Sequence, residues 1–286
     1  MPAPLVEKAS AKINLTLRVL GRRADGYHDL ESLVAFADIT DTLTLRPGAS
    51  TALDVSGPFA AASGSIADNL VLKALARLRE RIEGVAAGHF QLEKNIPAAA
   101  GVGGGSADAA AALRLLARAN DIALDDPRLA AVALEVGADV PVCLVSRACI
   151  MRGVGDKLAP PLDLPAIPAV LINPRVAVPT RDVFAKFISA HASKNNIGDV
   201  PRTRDAMIAF LEQHGNDLTQ GAIVCSPVIA EVLDALRALP GVRLARMSGS
   251  GATCFALFAT SGEASSAASL LQAAHKDWWV SATTLG

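Results

Sequence analysis

Cysteine is scarce in this chain, and the four present are scattered. Cys143, Cys149, Cys225 and Cys254 form no C-x-x-C pair and no cysteine–histidine cluster at zinc-ligand spacing. That excludes a zinc finger and a disulfide framework, and the expectation is buried, reduced thiols in a cytoplasmic setting. Excess charge is lacking too: 27 basic residues face 28 acidic ones, a net of −1. A protein that grips nucleic acid or a membrane surface carries a basic patch or stripe, so neither partner is expected. No uncharged apolar run approaches the ~18 residues of a spanning helix. The opening MPAPLVEKASAK has no apolar core of the signal-peptide kind, which places the chain in the cytoplasm as an expectation. Internal repeats and low-complexity tails are missing.

What is present is apolar and long enough to bury a core. Hydrophobic residues make up 51% and charged residues 19% of 286, the balance of a folded protein. The length suits one large domain or two ordinary ones. Ile13, Leu15, Leu17 and Val19 alternate with Asn14, Thr16 and Arg18, which predicts a half-buried strand over 13–20. Lys12 falls in register with Asn14, so both are expected on the face opposite the core residues. Asp25-Gly26 marks a turn, followed directly by Tyr27 and His28, that leaves Tyr27 exposed. Shorter strands are expected at 41–46, 51–55 and 89–93, and helices over 69–83 and 106–120. Asp125-Asp126-Pro127 opens a further helix that stops near Gly137. The proline-dense stretch between Ala159 and Pro168 marks a boundary, giving domains over 1–158 and 159–286. Beyond it, AVLIN reads as a strand, with helix starts at Thr180, Thr203 and Ser226-Pro227. A second glycine turn precedes the strand-like CFALF near the end. The mixture predicts a two-domain α+β protein.

Four glycines lie within Gly101–Gly105, between a strand and a strong helix. Glycine loses more backbone entropy on folding than any other residue, so this density needs a purpose. No lysine follows as in a Walker loop, the G-x-G-x-x-G fingerprint fails at Ser106 and Asp108, and the protein-kinase signatures H-R-D and D-F-G are absent. A strand, a glycine turn and a helix N-terminus still present N–H groups and a positive dipole end to an anion. A polyphosphate is the expected ligand. Ser106 is placed to cap the helix, or to offer its hydroxyl to a phosphate or its metal.

The run NIPAAAGVGGGSADAA (residues 95–110) resembles the central motif of the GHMP kinases, which phosphorylate galactose, homoserine, mevalonate and phosphomevalonate. SGSGATCFALF (248–258) resembles the third, glycine-rich motif of that family. AKINLTLRVLGRRADGYHDLESL (11–33), GADVPV (137–142) and NPRVAVPT (173–180) resemble one branch of it, whose acceptor alcohol carries a cytidine diphosphate. The matches run over nearly the whole chain. Ala98, Ala99 and Ala100 replace a spacer usually richer in glycine, Val102 stands where leucine is common, and Cys143 stands where a bulkier residue is usual. Ala107 replaces a second serine, so any role of that hydroxyl passes to Ser106 or disappears.

The resemblance implies an N-terminal domain like ribosomal S5 domain 2 and a ferredoxin-like C-terminal domain, with the active site in the cleft between them. It implies ATP and Mg²⁺ as cofactors, a small-molecule cytidine diphosphate substrate, and a monomer or weak homodimer. Asp139 matches the family's catalytic carboxylate as general base, and Lys12 the lysine paired with it. Asn14 would orient the substrate. Backbone amides of Ala98, Ala99, Ala100, Gly101, Val102, Gly103, Gly104, Gly105, Ser106, Ala107 and Asp108 would wrap the triphosphate. Asn69 and Lys94 match positions around the adenosine, although Lys94 also reads as an exposed strand end. Ser106 is the metal-ligand candidate. Tyr27, His28 and Phe184 match the base-recognition residues, and Thr180 and Arg181 would hold the acceptor's diphosphate. His89, His191, His214 and His275 carry no motif and read as surface or structural. Three other readings stand beside this one. One is a nucleic-acid module, since half of this fold resembles a ribosomal-protein domain; the net charge of −1 and the lack of a basic stripe disfavour it. A homoserine or sugar kinase of the same superfamily has no base to stack, and a silent nucleotide sensor would keep the glycine turns but lose Lys12 or Asp139.

Overall fold

The computed structural model describes residues 3–97, 101–187 and 197–286; Ala98, Ala99, Ala100 and His191 lie outside them. The chain divides into two compact units, one of Met1–Ala11, Ile39–Ala98 and Gly103–Ser146, the other of Lys12–Asp38, Ala99–Val102 and Arg147–Gly286. Strands β1 (Leu5–Asn14) and β3 (His28–Pro47) each contribute residues to both.

In the first unit, the far end of β3 runs antiparallel to β5 (Gly88–Glu93), from Thr42 opposite Glu93 to Pro47 opposite Gly88. β4 (Ala52–Ser56) lies parallel to β5, and parallel neighbours need a crossover, which α1 (Leu70–Arg81) provides. Asn69 is the N-cap of α1, its side-chain oxygen accepting the Val71 N–H at 3.0 Å, so the expected helix starts one residue later than predicted. α2 (Gly104–Ala119) is buried nearly all round by its alanines, and α3 (Pro127–Val136) follows the Asp126 cap and ends at Gly137, as the sequence predicts. α4 (Val140–Val145) was not expected: six residues give no periodic signal, and its Pro141 sits in the first turn, where proline is tolerated. Leu43, Leu45, Leu78, Phe90, Leu92 and Leu113 form the fully buried centre.

In the second unit the near end of β3 lies between β2 (Arg18–Arg22) and β6 (Cys149–Gly153), and β6 turns back into β7 (Lys157–Leu158). β8 (Ile167–Asn173) is central to an antiparallel array with β9 (Leu244–Met247), β10 (Cys254–Leu257) and β11 (Trp279–Leu285), in the order β11-β8-β10-β9. The helices are α5 (Thr180–Ala185), α6 (Arg204–Gln213), α7 (Thr219–Cys225), α8 (Val228–Arg237) and α9 (Ser261–Ala274). Their starts at Thr180, after Thr203 and after Pro227 agree with the sequence. Val170, Ile172, Ile229, Leu233, Met247 and Phe258 anchor this unit's core. None of the four cysteines is in a disulfide; three are buried, whereas Cys225 is half-buried. His214 stacks on Phe210 and His275 on Trp278, structural roles as expected.

The strand expected over 13–20 is two strands. β1 stops at Asn14 and β2 starts at Arg18, because the backbone between them bonds elsewhere: Leu15 N–H donates to Leu33 O and Leu17 N–H to Gly215 O. The face opposite the core residues is not solvated either, with Lys12 at 3%, Asn14 at 1%, Thr16 at 0% and Arg18 at 6% exposure. Buried polar groups must be satisfied, and these are: Asn14 Nδ2 donates to Ser32 Oγ, Leu33 N–H to Thr16 Oγ1 and Arg18 to Glu31. This polar burial, unusual for a structural strand, is where the site begins.

Replacing the α1 cap should separate capping from any other role of that side chain. Asn69→Ala is expected to lower stability by about 1 kcal/mol, and Asn69→Asp to retain most of it, read as shifts in the urea midpoint. Equal losses in both variants would contradict the capping assignment.

Candidate active site

In the first unit, the chain leaves β5 through Ile96 and re-enters at Gly103, which takes a left-handed φ of 65° as N-cap of α2 with no side-chain cap bond. Ser106 therefore lies inside the first turn and does not cap the helix; its hydroxyl remains available in that turn. A Cβ on Gly104 would stand 3.4 Å from Ile96 Cγ2, and one on Gly105 3.4 Å from Leu70 Cδ1, so this turn lies close against its neighbours. The first-turn N–H groups of a helix have no partner within it and carry the positive end of its dipole. A Cβ on Gly137 would stand 4.0 Å from Ser106 Oγ. Two residues beyond Gly137, the half-buried Asp139 takes the N-cap position of α4. The Gly103–Ser106 part of the predicted phosphate turn and the predicted base thus belong to neighbouring turns of the first unit. Ala107 is buried.

Lys94 is not an exposed strand end. Its Nζ donates to Asp108 Oδ2 at 2.6 Å and to Asp41 Oδ2, and all three side chains are buried. Burial alone would lower the Lys94 pKa, but the two carboxylates outweigh it and raise it. Burial, with Lys94 opposing and Asp41 adding to it, pushes Asp108 up to about 7, and Asp108 Oδ1 is buried without a hydrogen-bond partner. One ammonium cannot balance two buried carboxylates, which is why the neutral form of Asp108 is favoured well above the usual carboxylate range.

In the second unit, Lys12 Nζ donates to Asn14 Oδ1 at 2.9 Å, and the Lys12 N–H donates to Val102 O at 2.9 Å. The Asn14 N–H donates to Ser248 Oγ at 3.0 Å. Gly101, at a left-handed φ of 72°, comes so close to Gly251 that a Cβ would stand 2.2 Å from its carbonyl oxygen. A Cβ on Gly249 would meet both Asn14 Oδ1 and Gly101 O at 3.3 Å. The end of β1 is thereby tied to both glycine-rich segments. Asn216 Nδ2 braces the later one, donating to Met247 O and Gly249 O at 2.8 Å each.

The hairpin joining β2 to β3 is shaped by Asp25 Oδ1, which accepts the Tyr27 N–H at 3.1 Å, and by Gly26 at a φ of 87°. Tyr27 stands 65% exposed, as expected. The ring facing Phe184 is that of His28, stacked at 4.8 Å and 20°, with Phe187 edge-on at 6.4 Å. Burial, then the positive charge of Arg22, lowers the His28 pKa, favouring a neutral imidazole with one donor and one acceptor nitrogen. Thr180 Oγ1 and Ser250 Oγ lie 2.9 Å apart, joining the start of α5 to the later glycine turn; Arg181 is exposed.

Sequence reasoning passed over Asp41, Ser248, Ser250, Asn216 and Phe187. The serines lie inside a recognised glycine run, so a residue-level reading of that run would have found them. Asp41 and Asn216 carry no local signal. Among the described residues, no three or more His, Cys, Asp or Glu side chains are placed to hold a metal ion, and no helix is long and apolar enough to cross a membrane.

Two glycine-rich turns meet a buried lysine–asparagine pair, and comparison with known proteins makes the chain a small-molecule kinase. The description "GHMP kinases N terminal domain" matches residues 69–147 and "GHMP kinases C terminal" residues 199–277, and the chain belongs to the GHMP kinases. It is 56% identical over 292 aligned positions, 98% of each chain, to 4-diphosphocytidyl-2-C-methyl-D-erythritol kinase of Rhodopseudomonas palustris (strain HaA2). The crystal structure of a 4-(cytidine 5'-diphospho)-2C-methyl-D-erythritol kinase matches at a TM-score of 0.81 and 36% identity over 99% of each chain. Homoserine kinase from Cytophaga hutchinsonii ATCC 33406 matches at a TM-score of 0.73 over 99% of this chain and 95% of its own, but at 19% identity, a likeness of fold alone. The α+β fold expected from the sequence is the GHMP kinase fold.

The shifted Asp108 carboxyl has a consequence for stability. Its folded pKa is raised from an ordinary 3.8 to about 7, so its contribution is fully present below pH 3.8 and is lost as pH rises through about 7. Asp108→Asn is expected to flatten the fall in the urea midpoint across that window. An unchanged slope would show that Asp108 is not the titrating group.

Proposed function

We propose that this chain is a cytoplasmic, ATP-dependent kinase that transfers the γ-phosphoryl group to the 2-hydroxyl of 4-diphosphocytidyl-2-C-methyl-D-erythritol, a step of non-mevalonate isoprenoid precursor synthesis. The observation that carries the chemistry is the buried Lys12–Asn14 pair, bonded to Val102 and Ser248 in the two glycine-rich segments. The 56% identity to a kinase named for that acceptor supports the substrate.

In this reading Asp139 accepts the proton of the 2-hydroxyl as its oxygen bonds to the γ-phosphorus and the bond to the β,γ-bridging oxygen breaks, releasing ADP. Lys12 stabilises charge developing on the transferring group, and Asn14 fixes both the lysine and the acceptor. Backbone amides from Ala98 to Asp108 cradle the triphosphate, with Asn69 on the adenosine side and Lys94 behind the turn. Magnesium takes oxygen ligands and retains waters and phosphate oxygens, so one or two protein oxygens suffice. The Ser106 hydroxyl fits so sparse a set and would hold it, and the ion would supply charge neutralisation for the transfer.

Tyr27, His28 and Phe184 read the cytosine, the neutral imidazole offering a donor and an acceptor to its edge. Thr180 and Arg181 hold the acceptor's diphosphate. The partner is thus a small molecule, with no nucleic acid or membrane, and the enzyme a monomer or weak homodimer. The division into 1–158 and 159–286 belongs to the same reading, and the matched family regions end at 147 and resume at 199, which leaves room for it.

The test is ADP release with Mg²⁺–ATP against the cytidine compound, its uridine analogue, methylerythritol phosphate, homoserine and mevalonate. The cytidine compound alone should be turned over, and Asp139→Ala should lower kcat by about 10²–10⁴-fold. Preference for homoserine or mevalonate would keep the kinase and remove this substrate. Full activity in Asp139→Ala would remove the base.

A further inference from the structure

We infer that Lys94, Asp41 and Asp108 form a buried clamp that positions the phosphate-binding turn, so that Lys94 serves the nucleotide through the turn and not by touching it. The inference rests on the proposed nucleotide role of that turn for its purpose, but its geometry stands alone.

The clamp joins the strand that enters the glycine segment to the helix that leaves it. On the strand side, Asp41 Oδ1 accepts the N–H groups of Asn95 at 2.5 Å and Ile96 at 2.8 Å, while its other oxygen accepts from Lys94 Nζ. On the helix side, Asp108 lies four residues past Gly104, hence on the same face of α2, and accepts from Lys94 Nζ at 2.6 Å. Gly104 lies beside the ammonium: a Cβ there would stand in ordinary contact, 3.7 Å from Nζ.

The Lys94 side chain is buried with its Nζ committed to the two carboxylates, and its main chain is fixed as well. Its N–H donates to Ser56 O at 2.8 Å, and its carbonyl accepts the Phe59 N–H at 3.2 Å. Gly57 lies so close that a Cβ would come within 2.6 Å of that carbonyl oxygen. A buried ion cluster is poor evidence for stability, since well-packed apolar side chains often do as well. This one even leaves Asp108 Oδ1 buried and unpartnered. What the arrangement supplies instead is register, fixing residues 94–96 against the first turn of α2.

The experiment combines amide hydrogen exchange with steady-state kinetics on the full chain. Asp108→Ala cuts the helix side alone. It should speed exchange in peptides spanning 95–108 and raise the KM for ATP about ten- to a hundredfold, with the acceptor KM little changed. Asp108→Asn keeps an oxygen facing Lys94 Nζ and should recover most of that loss. Lys94→Met should give the Asp108→Ala pattern; if it does not fold, the two Asp108 variants decide. Unchanged exchange over 95–108, or loss of ATP affinity in Lys94→Met but not in Asp108→Ala, would overturn the clamp, the latter in favour of direct contact. Should the wild-type chain fail to turn over ATP, the kinase reading falls and the exchange measurement still decides the clamp.

Discussion

A contact made without side chains sets the terms for the second unit: the main chain of Gly101 against that of Gly251. Any Cβ at Gly101 would lie 2.2 Å from the Gly251 carbonyl oxygen, and the left-handed φ of 72° disfavours one independently. Because the two glycine-rich segments meet this closely, the end of β1 can bond to both, through the Lys12 N–H to Val102 and the Asn14 N–H to Ser248. The lysine is then held by its own neighbour, Asn14, with little conformational freedom left to lose when a transition state forms. Charge fixed before the reaction begins costs no reorganisation at the moment of transfer.

The first unit solves a related problem with charge. A glycine-rich turn is entropically expensive to order, and here its two flanks share one buried ammonium. Asp139 and Ser106 are brought to adjacent turns by helix boundaries, the C-terminus of α3 at Gly137 and the N-terminus of α2 at Gly103. Backbone geometry thus does most of the placing in both units, and the functional side chains are short additions to it.

Much of this was legible in the sequence, wherever the signal was local. Asp126-Pro127 and Gly137 bracket α3 because a cap and a stop act within one turn. The glycine run announced a backbone-mediated site, and the motif order identified the family. Non-local partners erased the signal elsewhere. Period-two alternation ran straight through Leu15–Leu17, but bonds to Leu33 and Gly215 divide that stretch into two strands. Lys94 looked solvated because its partners lie 53 and 14 residues away. α9 illustrates a different failure: its Thr260–Glu263 capping box was readable, but its alanine- and serine-rich body shows little amphipathic contrast.

The most direct test of this account is the ATP-dependent transfer rate of Gly101→Ala, measured beside its urea unfolding curve. The substitution adds one methyl group and no charge; a left-handed alanine costs about 1–2 kcal/mol, and the clash with the Gly251 carbonyl is relieved only if the two glycine-rich segments move apart. The account predicts a chain that still folds cooperatively but transfers phosphate at least about a hundredfold more slowly, because Lys12 and Asn14 lose their fixed position. A folded Gly101→Ala protein with near wild-type turnover would contradict it.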